Sequence, residues 1–398
     1  TFLSPCFRSR TVDQVQTIAE LAKLDVADLV PSCQCLYFDN ELNTSDMVLM
    51  EVEGSILKYL EEGKSIVIRG EKTDSATLCL DDKTYDIKDT DTSNTLLILP
   101  SCSVPDASED GTRHIISRQV TGIAKSYYEV KPMRPRFGKL RKLLEKCPYR
   151  GEIYEPEAEG DRHKMADFLE VVQASESEIL TELRQLRACP INGYWRALQF
   201  DYECQVLSHV LSLVEENSWD FRKVPQTETL DTLENLEPRA ILQHCLECFG
   251  NRIPSDDSPD GEVYYCLDED KVCQMFAEML LRPAEKFNFA EFMLSWQQSV
   301  PEGMTTGLHQ LRGLALIDRN SKPEVIFHFP FSLMPEEEPD RFNFLFKTRA
   351  RWTQDDILPY IQDLVTPKVS AGALLQKHAR ASVGPDGTRV YNSKRPIK

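Results

Sequence analysis

Short apolar runs separated by polar clusters occupy the first part of the chain, a pattern typical of β-strands joined by turns. Tyr85 and Ile87 alternate with polar neighbours, as expected for a strand with one buried face. The pattern predicts a helix over residues 12–30, a short helix over 55–62, a polar turn over 89–94, and strands over 47–52, 65–69, 76–80, 83–88, 95–99, 114–120 and 126–131. Many short strands favour a barrel or sandwich, and an incomplete set favours closure by strands of another chain.

A helical period replaces the alternating pattern after residue 161. A predicted helix over residues 162–174 is followed by Ser175 and, three residues later, Glu178, which together form a capping box for a second helix. Asn192 and Gly193 then lie between two apolar runs and favour a tight hairpin, because both central residues must take positive φ. A helix, a capped helix and a hairpin in this order indicate a winged helix.

Two later segments repeat this order of elements. Residues 183–188 (Leu-Arg-Gln-Leu-Arg-Ala) and 308–313 (Leu-His-Gln-Leu-Arg-Gly) are identical at four of six positions. Near the C-terminus, Thr353 with Asp356 three residues later caps a predicted helix. The remaining predicted elements are helices over 270–281, 289–299 and 370–381, strands over 314–317 and 324–329, and a wing turn over 385–387.

We therefore predict a multidomain α+β protein, in which a β-barrel-type N-terminal domain completed by partner chains precedes a tandem of winged-helix domains. Its predicted parts are a β-rich assembly domain (1–130), a basic and then acidic linker (131–160), and three winged helices (161–232, 233–334 and 335–398).

Residues 131–146 hold seven basic residues and one acidic residue. Two interpretations remain open for this segment. It is either a patch that binds nucleic acid or an acidic partner, or the solvated face of a helix whose Leu140, Leu143 and Leu144 point inward. The following residues 151–160 are acidic and poor in apolar side chains, and we expect them to be mobile.

The 398 residues include 46 Lys and Arg against 64 Asp and Glu, a formal net charge of −18. An apolar share of 41% argues against a wholly disordered chain. No apolar run approaches the ~20 residues that span a bilayer, and the N-terminal residues have no signal-peptide core. The start at Thr1 indicates a trimmed or fragmentary N-terminus. We expect a soluble intracellular protein without a membrane partner.

The charge is unevenly distributed along the chain. Residues 345–398 carry ten Lys and Arg against four Asp and Glu, a net charge of +6, so residues 1–344 carry −24. Basic side chains in the last predicted winged helix are the candidate DNA-binding residues: Lys377 and Arg380 on its recognition-like helix, and Arg389, Lys394 and Arg395 on its wing and tail. The alternative is that this end binds an acidic protein or a neighbouring domain.

Twelve cysteines are scattered without the repeated spacing of a disulfide framework, which favours a reducing compartment. The best metal candidate is His244 with Cys245 and Cys248, but a second Cys/His doublet is missing, since Cys266 and Cys273 are seven residues apart. Both cysteines of the doublet also lie on the apolar stripe of a predicted helix. Buried thiols are therefore the favoured interpretation, and we predict no metal site.

No set of catalytic residues is recognisable in the sequence. Gly63-Lys64-Ser65 resembles the end of a phosphate-binding loop, but Lys58 stands where the first glycine is required and a strand is predicted afterwards instead of a helix. The seven histidines are isolated, and no nucleophile elbow or His-Glu-x-x-His pair occurs. We predict a non-catalytic scaffold or binding protein without a cofactor.

Several segments, taken in order, resemble one family: the "defective in sister chromatid cohesion" subunit of the alternative replication factor C clamp loader. The similarity extends from about Arg8 to the C-terminus, while the first seven residues and the linkers at 101–113 and 151–163 lack family features. The segments that carry it are residues 65–70, 83–88, 91–94, 193–196, 287–292, 296–304 and 390–396.

The resemblance implies a nuclear, non-ATPase subunit. It implies an N-terminal region that joins a large and a small companion subunit in a shared multi-barrel β-structure, and a C-terminal half of tandem winged helices. That half would link the loader to the catalytic subunit of DNA polymerase epsilon and to DNA, and the complex would act on the sliding clamp. No catalytic residues are implied, and the resemblance does not assign the polymerase surface to particular residues.

Two hypotheses follow from the sequence. The first is this accessory subunit, which couples the clamp loader to DNA and to the leading-strand polymerase in DNA replication and sister chromatid cohesion. The second is a free-standing winged-helix DNA-binding regulator. The first predicts that residues 1–130 depend on partner chains, and the second predicts a stable monomer whose DNA affinity survives deletion of these residues.

Overall fold

The computed structural model describes residues 11–24, 33–38, 47–99, 115–158, 160–253, 262–366, 369–383 and 387–394. The predicted α+β class is confirmed, and the chain divides into two compact units, Thr1–Arg134 and Pro135–Lys398. Among the described residues, no helix combines the length and the apolar character that crossing a membrane requires.

The N-terminal unit contains two helices and seven strands within the described residues. They are α1 (Val12–Leu21), β1 (Cys33–Phe38), β2 (Met50–Glu51), α2 (Gly54–Glu61), β3 (Val67–Arg69), β4 (Thr77–Cys79), β5 (Thr84–Ile98), β6 (Ile115–Val120) and β7 (Gly122–Pro132). One sheet has the strand order β2-β7-β5-β4-β3, and β1 pairs with β6 in parallel. Its small core consists of Ile56, Leu78, Leu80, Tyr85 and Val130.

The predicted turn over residues 89–94 is wrong, because this segment lies inside the long strand β5. Strand β7 pairs with β5 on both sides of the segment, and the register shifts between Asp91 and Leu96. The Thr92 hydroxyl donates a hydrogen bond to the Lys125 carbonyl of β7 at 2.8 Å, which attaches the irregular segment to the neighbouring strand. The first three polar residues that suggested a turn, 89–91, are thus paired with β7, and the rest lie in an irregular part of the strand.

Other N-terminal predictions agree with the structure in type and differ in length. The helix predicted over 12–30 ends at Leu21, and residues 25–30 lie outside the described part. The short helix over 55–62 is confirmed as α2. Gly63, with φ 77°, follows this helix, and β3 begins four residues later, so a strand rather than a helix follows Gly63-Lys64-Ser65.

The C-terminal unit contains eleven helices and eleven strands within the described residues. The helices are α3 (Gly138–Lys146), α4 (Met165–Val171), α5 (Glu176–Gln185), α6 (Phe200–Glu216), α7 (Gln226–Leu233), α8 (Arg239–Phe249), α9 (Glu269–Leu281), α10 (Phe289–Ser299), α11 (Glu338–Thr348), α12 (Gln354–Ile361) and α13 (Ala371–His378). The strands are β8 (Ala188–Ile191), β9 (Tyr194–Ala197), β10 (Val224–Pro225), β11 (Gly250–Arg252), β12 (Tyr264–Leu267), β13 (Phe287–Asn288), β14 (Ala315–Asp318), β15 (Val325–His328), β16 (Trp352–Thr353), β17 (Ala379–Val383) and β18 (Arg389–Ser393).

Three antiparallel sheets in this unit share one topology. Their strand orders are β10-β12-β11, β13-β15-β14 and β16-β18-β17, so each short first strand pairs with the last strand of its group. We call each sheet with its helices a group, and each group begins with a helix. The three groups are 200–267, 269–328 and 338–393. A shorter group, 138–197, ends in the β8–β9 hairpin. The predicted boundary between residues 232 and 233 lies inside a group, since β10 and β12 pair across it.

Local signals in the shorter group are confirmed. The backbone N–H of Glu178 donates to the Ser175 hydroxyl at 3.3 Å, and the Ser175 N–H donates to the Glu178 carboxylate at 3.1 Å. Asn192 and Gly193 have φ values of 52° and 83°, as the hairpin between β8 and β9 requires.

The basic segment 131–146 contributes α3 to the same group. Leu140 and Leu144 are buried against Phe168, so these leucines point inward as one interpretation predicted. Arg141 donates to the Glu182 carboxylate at 2.7 Å. Binding of a partner by the other cations of this segment stays a prediction.

Two large side chains, Trp296 and Arg341, are fully buried in the later groups. Trp296 is fully buried in the largest cluster, which extends from Tyr149 and β8 to β15. Arg341 of α11 is also fully buried: its Nε donates to the Pro335 carbonyl at 2.7 Å, its Nη1 donates to the Tyr360 carbonyl at 3.2 Å, and it pairs with Asp363. A buried guanidinium with these partners fixes the end of α12 to the start of α11.

Candidate nucleic-acid interface

Helix α13 is the predicted recognition helix of the basic C-terminal group. The Ser370 hydroxyl accepts a hydrogen bond from the Ala373 N–H at 3.2 Å and caps its N-terminus. Leu374 and Leu375 are buried and hold the helix against the core of the group. Its exposed positions include Gly372, Ala373, Gln376 and Lys377. The exposed face is therefore short, with one cation.

Lys377 lies where it was predicted, on α13, but its charge is partly compensated. Its ammonium is 2.9 Å from a Glu338 carboxylate oxygen, and the same oxygen contacts His378. The His378 ring stacks on Phe342 with centroids 4.5 Å apart. The Lys377 side chain is 65% exposed, so it can exchange this carboxylate for a phosphate at low cost.

The contacts of Glu338 with Lys377 and His378 change the pKa of its carboxyl group. Partial burial works to raise its pKa, but hydrogen bonds from Lys377 and His378 outweigh burial, and the pKa is lowered below the ordinary value. Glu338 therefore stays ionised at neutral pH. It is the first residue of α11, where a negative charge is also favoured by the helix dipole.

Arg380 is not on the recognition helix, and this part of the prediction is wrong. The helix ends at His378, and Ala379 begins strand β17 by pairing with Ser393 of β18. The Lys394 N–H then donates to the His378 carbonyl at 3.1 Å, which closes the hairpin against the helix end. Strand pairing with residues fourteen positions later overrides the helical pattern of the segment.

Arg380 and Arg389 lie on opposite faces of the β17–β18 hairpin. Arg380 pairs in register with Asn392, whereas Arg389 shares the face of Tyr391, two residues away, and its guanidinium is 5.5 Å from that ring centroid. Both side chains are exposed. The hairpin can therefore present a cation on either face to a nucleic-acid groove.

Lys394 is exposed and follows β18 directly, with its ammonium 3.3 Å from the Gln376 carbonyl. It thus lies beside the end of α13 and near Lys377. The fifth predicted cation, Arg395, lies outside the described residues, as do 385 and 386 of the predicted wing turn. The structure therefore places Lys394 beside the last turn of α13, the helix that carries Lys377, while Arg380 lies on strand β17.

Four arginines that the sequence analysis did not select line a groove of about 740 Å³ between the groups 269–328 and 338–393. We call it the arginine groove: Arg312, Arg319, Arg349 and Arg351. They come from two segments about thirty residues apart, so no local pattern connects them. The one sequence feature that pointed to any of them is the repeated six-residue motif at 308–313, which contains Arg312.

The metal candidate is not assembled as a site. Cys245 is buried in the main core, as the buried-thiol interpretation predicted, and burial raises the pKa of its thiol well above the ordinary value. The Cys248 sulfur is 3.4 Å from His244 Nε2, and burial raises the pKa of this thiol to about 12. Within the described ranges, no group of three or more His, Cys, Asp or Glu residues could hold a metal ion.

Comparison with known proteins places the chain in a family. The family model for the sister chromatid cohesion protein Dcc1 matches residues 47–361, from just before β2 to the end of α12. The sister chromatid cohesion protein DCC1 of Danio rerio is 49% identical over 392 residues, which cover 98% of this chain and 99% of the relative.

Two further relatives extend the comparison. The human sister chromatid cohesion protein DCC1 is 47% identical over 395 residues, covering 98% of this chain and 99% of the relative. The probable sister chromatid cohesion protein DCC1 of Dictyostelium discoideum is 25% identical over 377 residues, covering 89% of this chain and 95% of the relative. The similarity thus covers both compact units, and the chain belongs to the Dcc1 family of sister chromatid cohesion proteins.

Proposed function

We propose that the chain is a non-catalytic accessory subunit of an alternative replication factor C clamp loader in the nucleus. In this role it binds a large and a small companion subunit and couples the sliding clamp to DNA and to the catalytic subunit of DNA polymerase epsilon. The membership in a family named for sister chromatid cohesion supports the role, and so does the strand that follows Gly63-Lys64-Ser65 where a nucleotide-binding loop needs a helix.

The observation that carries the proposal is the apolar surface of the N-terminal unit. On β3, an edge of the five-stranded sheet, Val67 is 45% and Ile68 is 56% exposed. On β1, Leu36, Tyr37 and Phe38 are each about half exposed. An edge strand with exposed apolar side chains is a template for strands of another chain. This supports a β-structure that companion subunits complete.

The C-terminal unit supports the winged-helix part of the proposal. Its three sheets share the order first-last-middle, and each follows a helix and ends in a hairpin. We propose that the winged-helix units are 200–267, 269–328 and 338–393, preceded by a shorter one at 138–197. The last unit, with the candidate cations Lys377, Arg380, Arg389, Lys394 and Arg395, would contact DNA.

Assembly is tested with the full chain co-expressed with the companion subunits. We expect Ile68→Asp to lower the co-purified amount of the companions at least roughly ten-fold, because a carboxylate on the edge strand would be buried without a partner. Thr73→Asp is the matched control, since it adds the same charge at an exposed position near β3. Normal co-purification of Ile68→Asp, together with DNA binding by the chain alone, would instead favour a free-standing winged-helix regulator.

DNA binding is tested by fluorescence anisotropy of a labelled duplex with the full chain across a salt series. Arg380→Glu combined with Arg389→Glu should weaken binding about ten-fold or more and reduce the salt dependence, because each lost phosphate contact releases one counterion fewer. Arg252→Glu with Lys286→Glu makes the same charge change at exposed positions of other groups. Equal effects of the two pairs would mean that only net charge matters, and the assignment to the last group would fall.

A further inference from the structure

The arginine groove is a preformed cleft between two groups of the C-terminal unit. The Tyr360 hydroxyl of α12 donates to the Phe329 carbonyl, which follows β15, at 2.9 Å. Leu316 of β14 is buried in the same cluster as Tyr360. Gly313, with φ 75°, packs beside Pro359, since a Cβ at residue 313 would be in van der Waals contact with the proline ring at 3.4 Å. These contacts fix both walls.

The groove combines apolar lining with uncompensated positive charge. Leu308, at 45% exposure, and Pro359 contribute apolar surface. Arg349 pairs with Asp356 at 2.9 Å, whereas Arg312 and Arg351 are exposed and form no ion pair with any residue that the structure describes. Two guanidinium groups are thus available beside an apolar surface, in a protein whose net charge is −18.

We propose that the arginine groove binds an extended peptide segment of another protein that carries both acidic and aliphatic side chains. Arginine binds carboxylates through two parallel hydrogen bonds, and an extended chain places alternate side chains on opposite faces. Acidic side chains would reach Arg312 and Arg351 while aliphatic ones cover Leu308. This site does not depend on the clamp-loader role proposed above.

The same groove suits a nucleic-acid backbone less well. Asp355 and Asp356 both line it, and a continuous row of phosphates would pass these carboxylates, whereas a peptide can place uncharged side chains opposite them. Phosphate contacts also make no use of apolar lining, whereas a peptide with aliphatic side chains removes it from water. Complementarity of charge and of apolar surface together therefore favours the peptide.

The test begins with a phage library of random 12-residue peptides, selected on the immobilised full chain. Peptides that combine Asp or Glu with Leu, Ile or Phe should be enriched. A fluorescein-labelled copy of the most enriched peptide should bind the variant Arg312→Glu with Arg351→Glu roughly ten-fold or more weakly than it binds the unchanged chain. Arg312→Ala with Arg351→Ala gives a second measurement if the first variant does not fold by circular dichroism.

The control is Arg252→Glu with Lys286→Glu, which changes the net charge equally at exposed positions outside the groove. It should leave peptide affinity within about two-fold. The proposal is overturned if no peptide is enriched, if the enriched peptides lack acidic residues, or if both variant pairs weaken binding equally. It is also overturned if the groove variants weaken binding of a labelled DNA duplex and leave the peptide unaffected.

Discussion

The two compact units expose very different amounts of apolar surface. Within the described residues, sixteen large apolar side chains are exposed in the unit Thr1–Arg134 and nine in the unit Pro135–Lys398, although the second unit is about twice as long. Among the residues that the structure describes, the first unit has one small core cluster, and the second contains the three larger ones. Burial of apolar surface stabilises the C-terminal unit internally, whereas much of the N-terminal apolar surface is exposed, as the proposed association with companion strands requires.

Removing the centre of the C-terminal core tests this difference between the two units most severely. Trp296 is fully buried, stacks on Phe292 at 5.4 Å, and donates from its ring nitrogen to the Cys273 carbonyl at 2.7 Å. We expect Trp296→Ala to cost about 3–5 kcal/mol of unfolding free energy, measured by urea denaturation, with hydrogen exchange rising in α9 and α10.

The control for this experiment is Trp296→Phe, which keeps the aromatic stack and removes only part of the volume. It should cost clearly less than the alanine variant. A loss below about 1 kcal/mol for Trp296→Ala would contradict the idea that the C-terminal unit derives its stability from this core.

A second prediction concerns the polar contact that joins two groups of the C-terminal unit. Glu203 of α6 is buried and pairs with Arg187, which precedes β8, at 2.8 Å. Burial raises the pKa of the Glu203 carboxyl more than Arg187 lowers it, so the pKa in the folded state is above its ordinary value. The folded chain therefore holds this proton more tightly than the unfolded chain does, and ionisation costs stability as pH rises.

Glu203→Gln should remove this pH dependence. The melting temperature of the variant relative to the unchanged chain should increase as pH rises from about 4.5 through the raised pKa. Thermal melts between pH 4.5 and 8 measure it, with the exposed Glu216→Gln of the same helix as control. A difference that falls as pH rises would show that the Arg187 ion pair dominates, and a difference that does not vary with pH would show that burial and the ion pair cancel.

Signals within one element predicted structure well. The capping box at Ser175 and the Asn192-Gly193 hairpin depend on residues three positions apart or fewer, and both are confirmed. The turn predicted over 89–94 failed because pairing with β7, more than thirty residues later, decides the conformation of that segment. Local composition cannot report such a partner.

In the candidate interface, too, the parts that depend on local sequence were predicted and the parts that depend on distant segments were not. Helix α13 was predicted from its own sequence, but the position of Arg380 depends on pairing between Ala379 and Ser393. The arginine groove was missed because it needs contacts between two groups, such as the hydrogen bond from Tyr360 to Phe329. Surfaces built from distant segments follow from tertiary packing, which no periodicity in a single sequence encodes.

The last prediction tests the exposed apolar surface of the N-terminal unit, where we expect little change in stability. Ile68 is 56% exposed on β3, whereas Ile56 of α2 is fully buried in the core of the same unit. Ile68→Ser should therefore change the unfolding free energy of the chain alone by no more than about 0.5 kcal/mol. Ile56→Ser, the identical substitution at the buried site, should cost several times more, because it leaves a cavity and a buried hydroxyl. Chemical denaturation of both variants, followed by circular dichroism, measures the pair. Equal losses would mean that Ile68 already supports the fold of the chain alone, and β3 could then not serve mainly as a surface for companion strands.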